Sequence, residues 1–506
     1  MPYIPTIGLE IHVELKTNTK MFCGCLNNAD EKHPNINVCP ICMGHPGTLP
    51  TINKNAVEKV IKLGMAVNGN PPAGGSKFDR KNYFYPDLPK GYQISQYDQP
   101  LVSGGTLSGV KIRRIHLEED TARLIHSSQL VGYPKNENPA SLVDYNRSGI
   151  PLMELVTEPD IKNGEKAVAF AKEFQLILRY LDISDADMEK GHMRIEANIS
   201  LMRTNIDTNS TNIGDISGQI SGNTRILGTK VEVKNINSFK AVEGAIDYEI
   251  KRQAEVLDKG GKVKQETRGW DEKNQKTISQ RIKEEAHDYR YFPEPDLPPL
   301  NFSSTDSGFD LEQLKLEIPE LPQQKRERFV REYGLSAEQA SVLADDPDSA
   351  DFFENSFSEL KVENKEANAQ TLYNYFISDL RGLMKEEGIM IKQSKVTPLL
   401  FAELVAMVSA GEINSRVAKD TLKEMFIRGI SPKSIMKEKG LDVKVTQDEL
   451  DMIISEIIKA NFKAVVDYKK GQENALQFLV GQAMAKLKGR ANPQILRELF
   501  IRRLAD

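Results

Sequence analysis

The first residues with chemical potential lie near the N-terminus. Ile7, Leu9, Ile11, Val13 and Leu15 alternate with Gly8, Glu10, His12 and Glu14. Successive side chains of a strand point to opposite faces, so this stretch predicts one apolar face and one carrying two carboxylates and an imidazole. Such groups ligate metals; the plain alternative is an exposed strand with its polar residues outward. Three more segments repeat the pattern. Residues 114–120 put His116, Glu118 and Asp120 on one face and Glu119 on the other, unless a bulge re-aims it. Residues 193–199 set Arg194, Glu196 and Asn198 opposite an apolar row, and residues 230–234 group Lys230, Glu232 and Lys234. Taken singly, each is a solvated edge. Taken together they predict one wall of a concave site, with carboxylates and an imidazole to hold Mg²⁺ and cations to meet anionic oxygens.

A second centre is predicted from the cysteines. All four fall in two tight pairs, Cys23 with Cys25 and Cys39 with Cys42. Four soft thiolates suit tetrahedral Zn²⁺ and leave no open position, which predicts a structural role. His33 and His45 are substitutes if one cysteine is not a ligand.

These residues must be positioned by a large chain. Its 506 residues predict two to four domains, and 39% hydrophobic content supports a sizeable core. A net charge of -5 excludes a general polyanion binder, so any nucleic-acid contact needs a local basic patch. No signal peptide and no membrane span are expected, and clustered cysteines without a secretion signal point to the cytoplasm. No phosphate-binding GxxxxGK[ST] loop or GxSxG elbow is present.

Up to about residue 290 the chain alternates short strand-like runs with Gly, Pro and Asn turns, interrupted by helical patterns at 56–67, 165–181 and 239–258. Residues 204–223 read as a polar insertion. A proline-rich passage from Phe292 to Ser307 follows, and beyond it helices are expected at 311–332, 337–344, 367–384, 398–408, 414–425, 446–460, 475–487 and 493–504. The fold class predicted is α+β: a mainly antiparallel sheet domain (1–292), a linker and helical domain (293–395), and a helical tail domain (396–506).

Several stretches resemble the B subunits of the aspartyl/glutamyl-tRNA amidotransferases, the GatB family. They are residues 8–15, residues 77–87, residues 288–296, the tail stretch 478–484 with Asn492-Pro493, and above all residues 144–159, Asp-Tyr-Asn-Arg-Ser-Gly-Ile-Pro-Leu-Met-Glu-Leu-Val-Thr-Glu-Pro. The resemblance implies a protein that uses ATP to activate the side-chain carboxylate of misacylated Glu-tRNA(Gln) or Asp-tRNA(Asn) in a catalytic cradle. Ammonia from a partner amidase, the glutaminase of the complex, then forms the amide, and a small third protein ties the two together in a heterotrimer. It further implies Mg²⁺ at Glu10, His12, Glu118, Glu119 and Glu232. Four of these are also reached from the strand patterns; Glu119 rests on the resemblance alone. Joining two anions requires neighbouring cations, and Lys81, Arg147, Lys230 and Lys234 are the candidates for substrate and ATP.

The last forty residues are rich in Lys and Arg, with Lys486, Lys488 and Arg490 around a turn. Charge alone reads as a solvated helix face; the resemblance makes it a tRNA-binding tail that reads shape and backbone. Two other classes remain: a metal-dependent hydrolase or nuclease using the same carboxylates, and a non-catalytic tRNA scaffold.

Overall fold

The structure, a computed structural model, describes residues 3–126, 140–203, 228–282, 289–302, 308–363, 369–440, 446–487 and 493–505. The expected insertion at 204–223 lies outside them, as do Lys488 and Arg490. The chain divides into two compact units, Met1–Pro322 and Gln323–Asp506.

The alternating runs of the first unit form strands: β1 (Tyr3–Glu14), β2 (Asp79–Asn82), β3 (Tyr92–Ser95), β4 (Val102–Ser103), β5 (Thr106–Leu107), β6 (Val110–Glu119) and β7 (Arg123–His126). After them come β8 (Ser141–Asp144), β9 (Pro151–Thr157), β10 (Met193–Arg203), β11 (Val231–Ile236), β12 (Glu266–Asp271), β13 (Lys276–Ile282) and β14 (Phe292–Pro293). The main sheet runs β13-β12-β11-β10-β1-β9-β6-β4, with β5 also paired to β6; β14-β2-β3 and β7-β8 form two small sheets. Among the described residues, only β11 and β12 pair in parallel within the main sheet. A helix connects them, as a parallel crossover requires. The α+β class read from the sequence is what the chain adopts.

β1 sits between β10 and β9, and its apolar row, Ile7, Leu9, Ile11 and Val13, is wholly buried. Burying each such side chain contributes about 2 kcal/mol. Three helices supply the other side of this core: α1 (Lys54–Ala66) with Val57 and Val60, α2 (Gly164–Tyr180) with Phe170 and Phe174, and α3 (Phe239–Asp258) with Val242 and Ile246. Each starts at a side-chain cap, Asn53, Asn163 or Ser238, whose oxygen accepts a backbone N–H three residues on. The core therefore takes the odd positions of β1 from Ile7 to Val13 and leaves Glu10 and His12 on the opposite face.

The second unit is helical, with no strand among its described residues. The run expected at 311–332 is broken into Leu311–Leu316, which belongs to the first unit, and Pro322–Tyr333, because Pro319 and Pro322 interrupt the backbone ladder. The helix expected at 367–384 is described from Ala369 and holds a π-helical turn, Tyr375–Leu380, between α-helical pieces. Helices at Pro347–Glu363, Pro432–Glu438 and Phe462–Lys469 were not anticipated. Two buried clusters organise this unit, one from Phe329 to Met436 and one from Leu450 to Leu504. The first draws on both sides of residue 395: Phe352 packs on Phe376 at 5.6 Å and on Phe401 at 5.7 Å. No helix among the described residues is long and apolar enough to cross a membrane.

Candidate functional site

Strand register assembles the polar face. Glu10 lies opposite Glu196, His12 opposite Arg194 and Glu154, His116 opposite Glu154, and Glu232 opposite Asn198. The residues expected to surround one ion fall into two groups. In one, His12, Glu118 and Glu154 bring ligand atoms within 4.8 Å of one another; in the other, Glu10, Glu196 and Glu232 do so. His12 Nε2 stands 3.5 Å from Glu154 and 3.7 Å from Glu118, and His116 Nε2 stands 3.3 Å from Glu154.

Electrostatics follow from this crowding. Burial works against a charged imidazole at His12, but Glu154, Glu118 and Glu196 outweigh it and raise the group to about 9. Against its own burial, Glu154 is held well below the usual carboxylate range by His116 and His12. The second group is all carboxylate, with Lys234 Nζ 3.0 Å from Glu196 and 4.0 Å from Glu232. Asn198 donates to Glu10 at 2.8 Å, while its own Oδ1 is buried with no hydrogen-bond partner. An orphaned oxygen beside three carboxylates is a donor set for a hard cation, so these residues fit Mg²⁺. His12, Glu118 and Glu154 offer a mixed nitrogen and oxygen set.

An open pocket of about 340 Å³ lies on this face, lined by His12, Lys81, Glu118, Asp120, Arg194, Glu196 and Lys234 among others. Lys81 lies 5.2 Å from the centre of the Tyr289 ring and 5.9 Å from that of Tyr83. Burial opposes its charge, but Glu118, Tyr291, Tyr83 and Glu154 hold the ammonium above its ordinary value. Two of the four expected cations, Lys81 and Lys234, thus reach the pocket. Lys230 is exposed just ahead of β11 and is not among the pocket-lining residues. Arg147 is committed elsewhere: it pairs with Glu14 and, at 2.8 Å, with Asp120, which also accepts from Arg194 at 3.1 Å.

Glu119 departs from the expected metal set. Adjacent strand residues face opposite sides, and the irregularity in β6 falls at Ile112/Arg114, too far upstream to re-aim it. Its carboxylate meets Lys90 and the Ile94 N–H, the latter at 3.0 Å, and lines a different cavity with Cys23 and Cys42. Glu154 was the residue missed. It is the sole ionisable side chain of β9, and that isolation in an apolar run was the available signal. In the tail, Lys486 ends the helix Glu473–Lys486, partly exposed and paired with Glu456.

The four cysteines converge. Their sulfurs lie within 4.8 Å of one another, close to the roughly 3.8 Å separation that tetrahedral Zn–S bonds of about 2.3 Å impose. The Cys39 N–H donates to Cys42 Sγ at 3.1 Å, and the buried Lys20 ammonium stands 3.9 Å from the same sulfur. Donors aimed at a sulfur favour its thiolate, so the residues fit a zinc knuckle. A hydrogen bond from Cys23, opposed by burial, holds the Cys42 thiol down to about 5.

Fold and pocket together define an α+β protein with a carboxylate-rich, cation-rimmed site on its sheet, suited to charged substrates. Comparison narrows this. The profile of the GatB/GatE catalytic domain matches residues 5–306, and that of the GatB domain matches residues 355–504. Among curated relatives, the B subunit of the aspartyl/glutamyl-tRNA(Asn/Gln) amidotransferase of Carboxydothermus hydrogenoformans is 44% identical over 512 residues, covering 99% of each chain. Its counterpart in a Thermoanaerobacter species is 43% identical over 508 residues, again covering 99% of each. That of Dehalococcoides mccartyi is 44% identical over 516 residues, covering 100% of this chain and 99% of its own. The chain belongs to this family of amidotransferase B subunits.

Proposed function

We propose that this chain is the component of a tRNA-dependent amidotransferase that activates the side-chain carboxylate of misacylated Glu-tRNA(Gln), Asp-tRNA(Asn) or both with ATP, and in whose pocket ammonia then displaces phosphate. The observation that carries this reading is the meeting of His12, Glu118 and Glu196, one or two members of each ligand group, with Lys81, Arg194 and Lys234 around one open pocket. The substrate carboxylate attacks the γ-phosphorus and ADP leaves; ammonia attacks the acyl carbon, phosphate leaves, and the nitrogen gives up a proton. Attack of a carboxylate on ATP brings two anions together. Lys81 and Lys234 lower that repulsion and hold the transferring group. Mg²⁺ held by Glu10, Glu196 and Glu232, or by His12, Glu118 and Glu154, would supply further charge neutralisation. Glu119, pointing away, lies outside this set.

The rest of the reading follows the family. A partner glutaminase supplies ammonia, a small third protein makes the assembly a cytoplasmic heterotrimer, Zn²⁺ sits in the cysteine knuckle, and the tail with Lys486, Lys488 and Arg490 holds tRNA. Phosphate release from labelled ATP by the assembled heterotrimer tests the central step. Release should require a misacylated tRNA and fall at least 100-fold in Glu10→Ala. The charged tRNA that is preferred names the substrate. Release indifferent to the amino acid, or surviving the substitution, would leave this chain as a tRNA-holding scaffold; phosphodiester cleavage without ATP would favour a hydrolase.

A further inference from the structure

The cysteine knuckle and the Asp144–Pro159 stretch are separated by a hundred residues, yet they are stitched together. The segment between the two cysteine pairs supplies one side of the seam. Asn35, in the left-handed backbone region at φ 59, donates through its N–H to Asp144 at 3.1 Å and through Nδ2 to the Val143 carbonyl at 3.2 Å; its Oδ1 accepts the Tyr145 N–H at 2.8 Å. Asn146 answers from the other side. Its Oδ1 accepts the N–H groups of Ile36 and Asn37 at 2.9 and 2.8 Å, and its Nδ2 donates to the His33 carbonyl at 2.8 Å. Gly149, at φ 85, lets the loop turn where an added Cβ would stand 3.5 Å from that of Cys42.

Lys20 closes the seam. Its side chain is wholly buried, and its ammonium donates to the carbonyls of Asn37 at 2.7 Å and Tyr145 at 3.2 Å while standing 3.9 Å from Cys42 Sγ. No carboxylate pairs with it among the described residues. A buried ammonium needs a counter-charge, and four thiolates on a divalent ion carry two negative charges in excess. The same nitrogen therefore touches the knuckle's charge, the knuckle's loop and the loop bearing Arg147. Arg147 in turn holds Asp120, which lines the pocket with Arg194.

We propose that the cysteine knuckle sets the loop that presents Arg147 to the pocket wall, and that Lys20 is the positioning residue that couples the two. The loop gripped at 143–146 is held by the segment that a metal on the four sulfurs closes, so loss of the metal frees that segment to leave. The consequence for catalysis rests on the pocket's proposed role; the coupling does not, and it is read without substrate.

Hydrogen exchange of the full-length chain, followed by mass spectrometry, tests it. Stripping the metal with a chelator should speed exchange of the amides at 145–149 about tenfold or more, the loss of one to two net hydrogen bonds, and leave those of β1 unchanged. Zinc-loaded Lys20→Met should loosen 145–149 likewise and surrender its metal faster to a chromogenic chelator, and Lys20→Arg should restore protection towards the parent. If stripping loosens residues 20–42 but not 145–149, or if Lys20→Met changes neither readout, the proposal fails. Should Lys20→Met not fold, Asn146→Ala decides. Its hydrogen bonds go to the backbone of 33–37 and to none of the thiols, so faster metal release there reports reciprocal coupling. Unchanged release overturns the proposal.

Discussion

Two buried acids share Arg147, which favours the charged form of both, yet they end shifted in opposite directions. Asp120, against its own burial, is held well below the usual carboxylate range by Arg194 and Arg147. Glu14 is pushed up to about 7 by burial and by the Asp120 charge, which together outweigh Arg147. The sign of the pH effect follows. A carboxyl whose folded value is raised binds a proton that the unfolded chain has released, so its contribution improves as pH falls through about 7 towards its ordinary range. Glu14→Gln should therefore gain melting temperature over the parent at pH 8, with an advantage that starts to shrink as pH falls through about 7 and closes only as pH nears the ordinary carboxylate range; a pH-independent difference would contradict the assignment. Asp120→Asn leaves two arginines facing one acid and should cost about 3 kcal/mol by denaturant titration at pH 7.

Among the elements, the short sheet β14-β2-β3 brings Tyr289 and Tyr291 to Lys81. Arg80 on β2 grips Glu294 through two hydrogen bonds of 2.7 and 2.8 Å, and Glu294 is nearly inaccessible. Arg80→Met would leave that carboxylate buried without its cation. It should destabilise the first unit by about 3 kcal/mol and raise the KM for ATP more than it lowers kcat, because the tyrosines beside Lys81 lose their anchor. An unaltered KM would place Lys81 outside the ATP site. Elements also mark how far local sequence reaches. The alternation in β1, the helix at 239–258 and the paired cysteines were legible because pattern, cap and spacing lie within a few residues. Glu154 was not, because β9 is apolar around it and only pairing with β1 and β6 brings it to two imidazoles. The pairing of Arg147, a candidate for substrate and ATP in the sequence, was hidden for the same reason: its acids lie 133 and 27 residues away.

Across the whole molecule, three buried clusters divide the labour of stability. The cluster from Phe329 to Met436 spans residue 395, so cutting there would expose Phe352 and Phe376 and confuse lost binding with lost folding. Ending the chain after residue 440 removes the last cluster alone. This truncation should keep glutaminase activity in the assembled complex and weaken charged-tRNA binding by at least tenfold in fluorescence anisotropy. The loss should be greatest at low ionic strength, where phosphate contacts weigh most. Affinity equal to that of the full chain would move tRNA recognition out of the tail.

β1 devotes positions 7, 9, 11 and 13 to the core and positions 10, 12 and 14 to the pocket side. Because the pleat repeats every two residues, adding or deleting one residue ahead of Glu10 would exchange the two populations at a stroke. Two carboxylates and an imidazole would enter the core as Leu9, Ile11 and Val13 turned towards the pocket. A substitution in this strand costs the contacts of one side chain, whereas a single-codon insertion or deletion there costs those of both faces together.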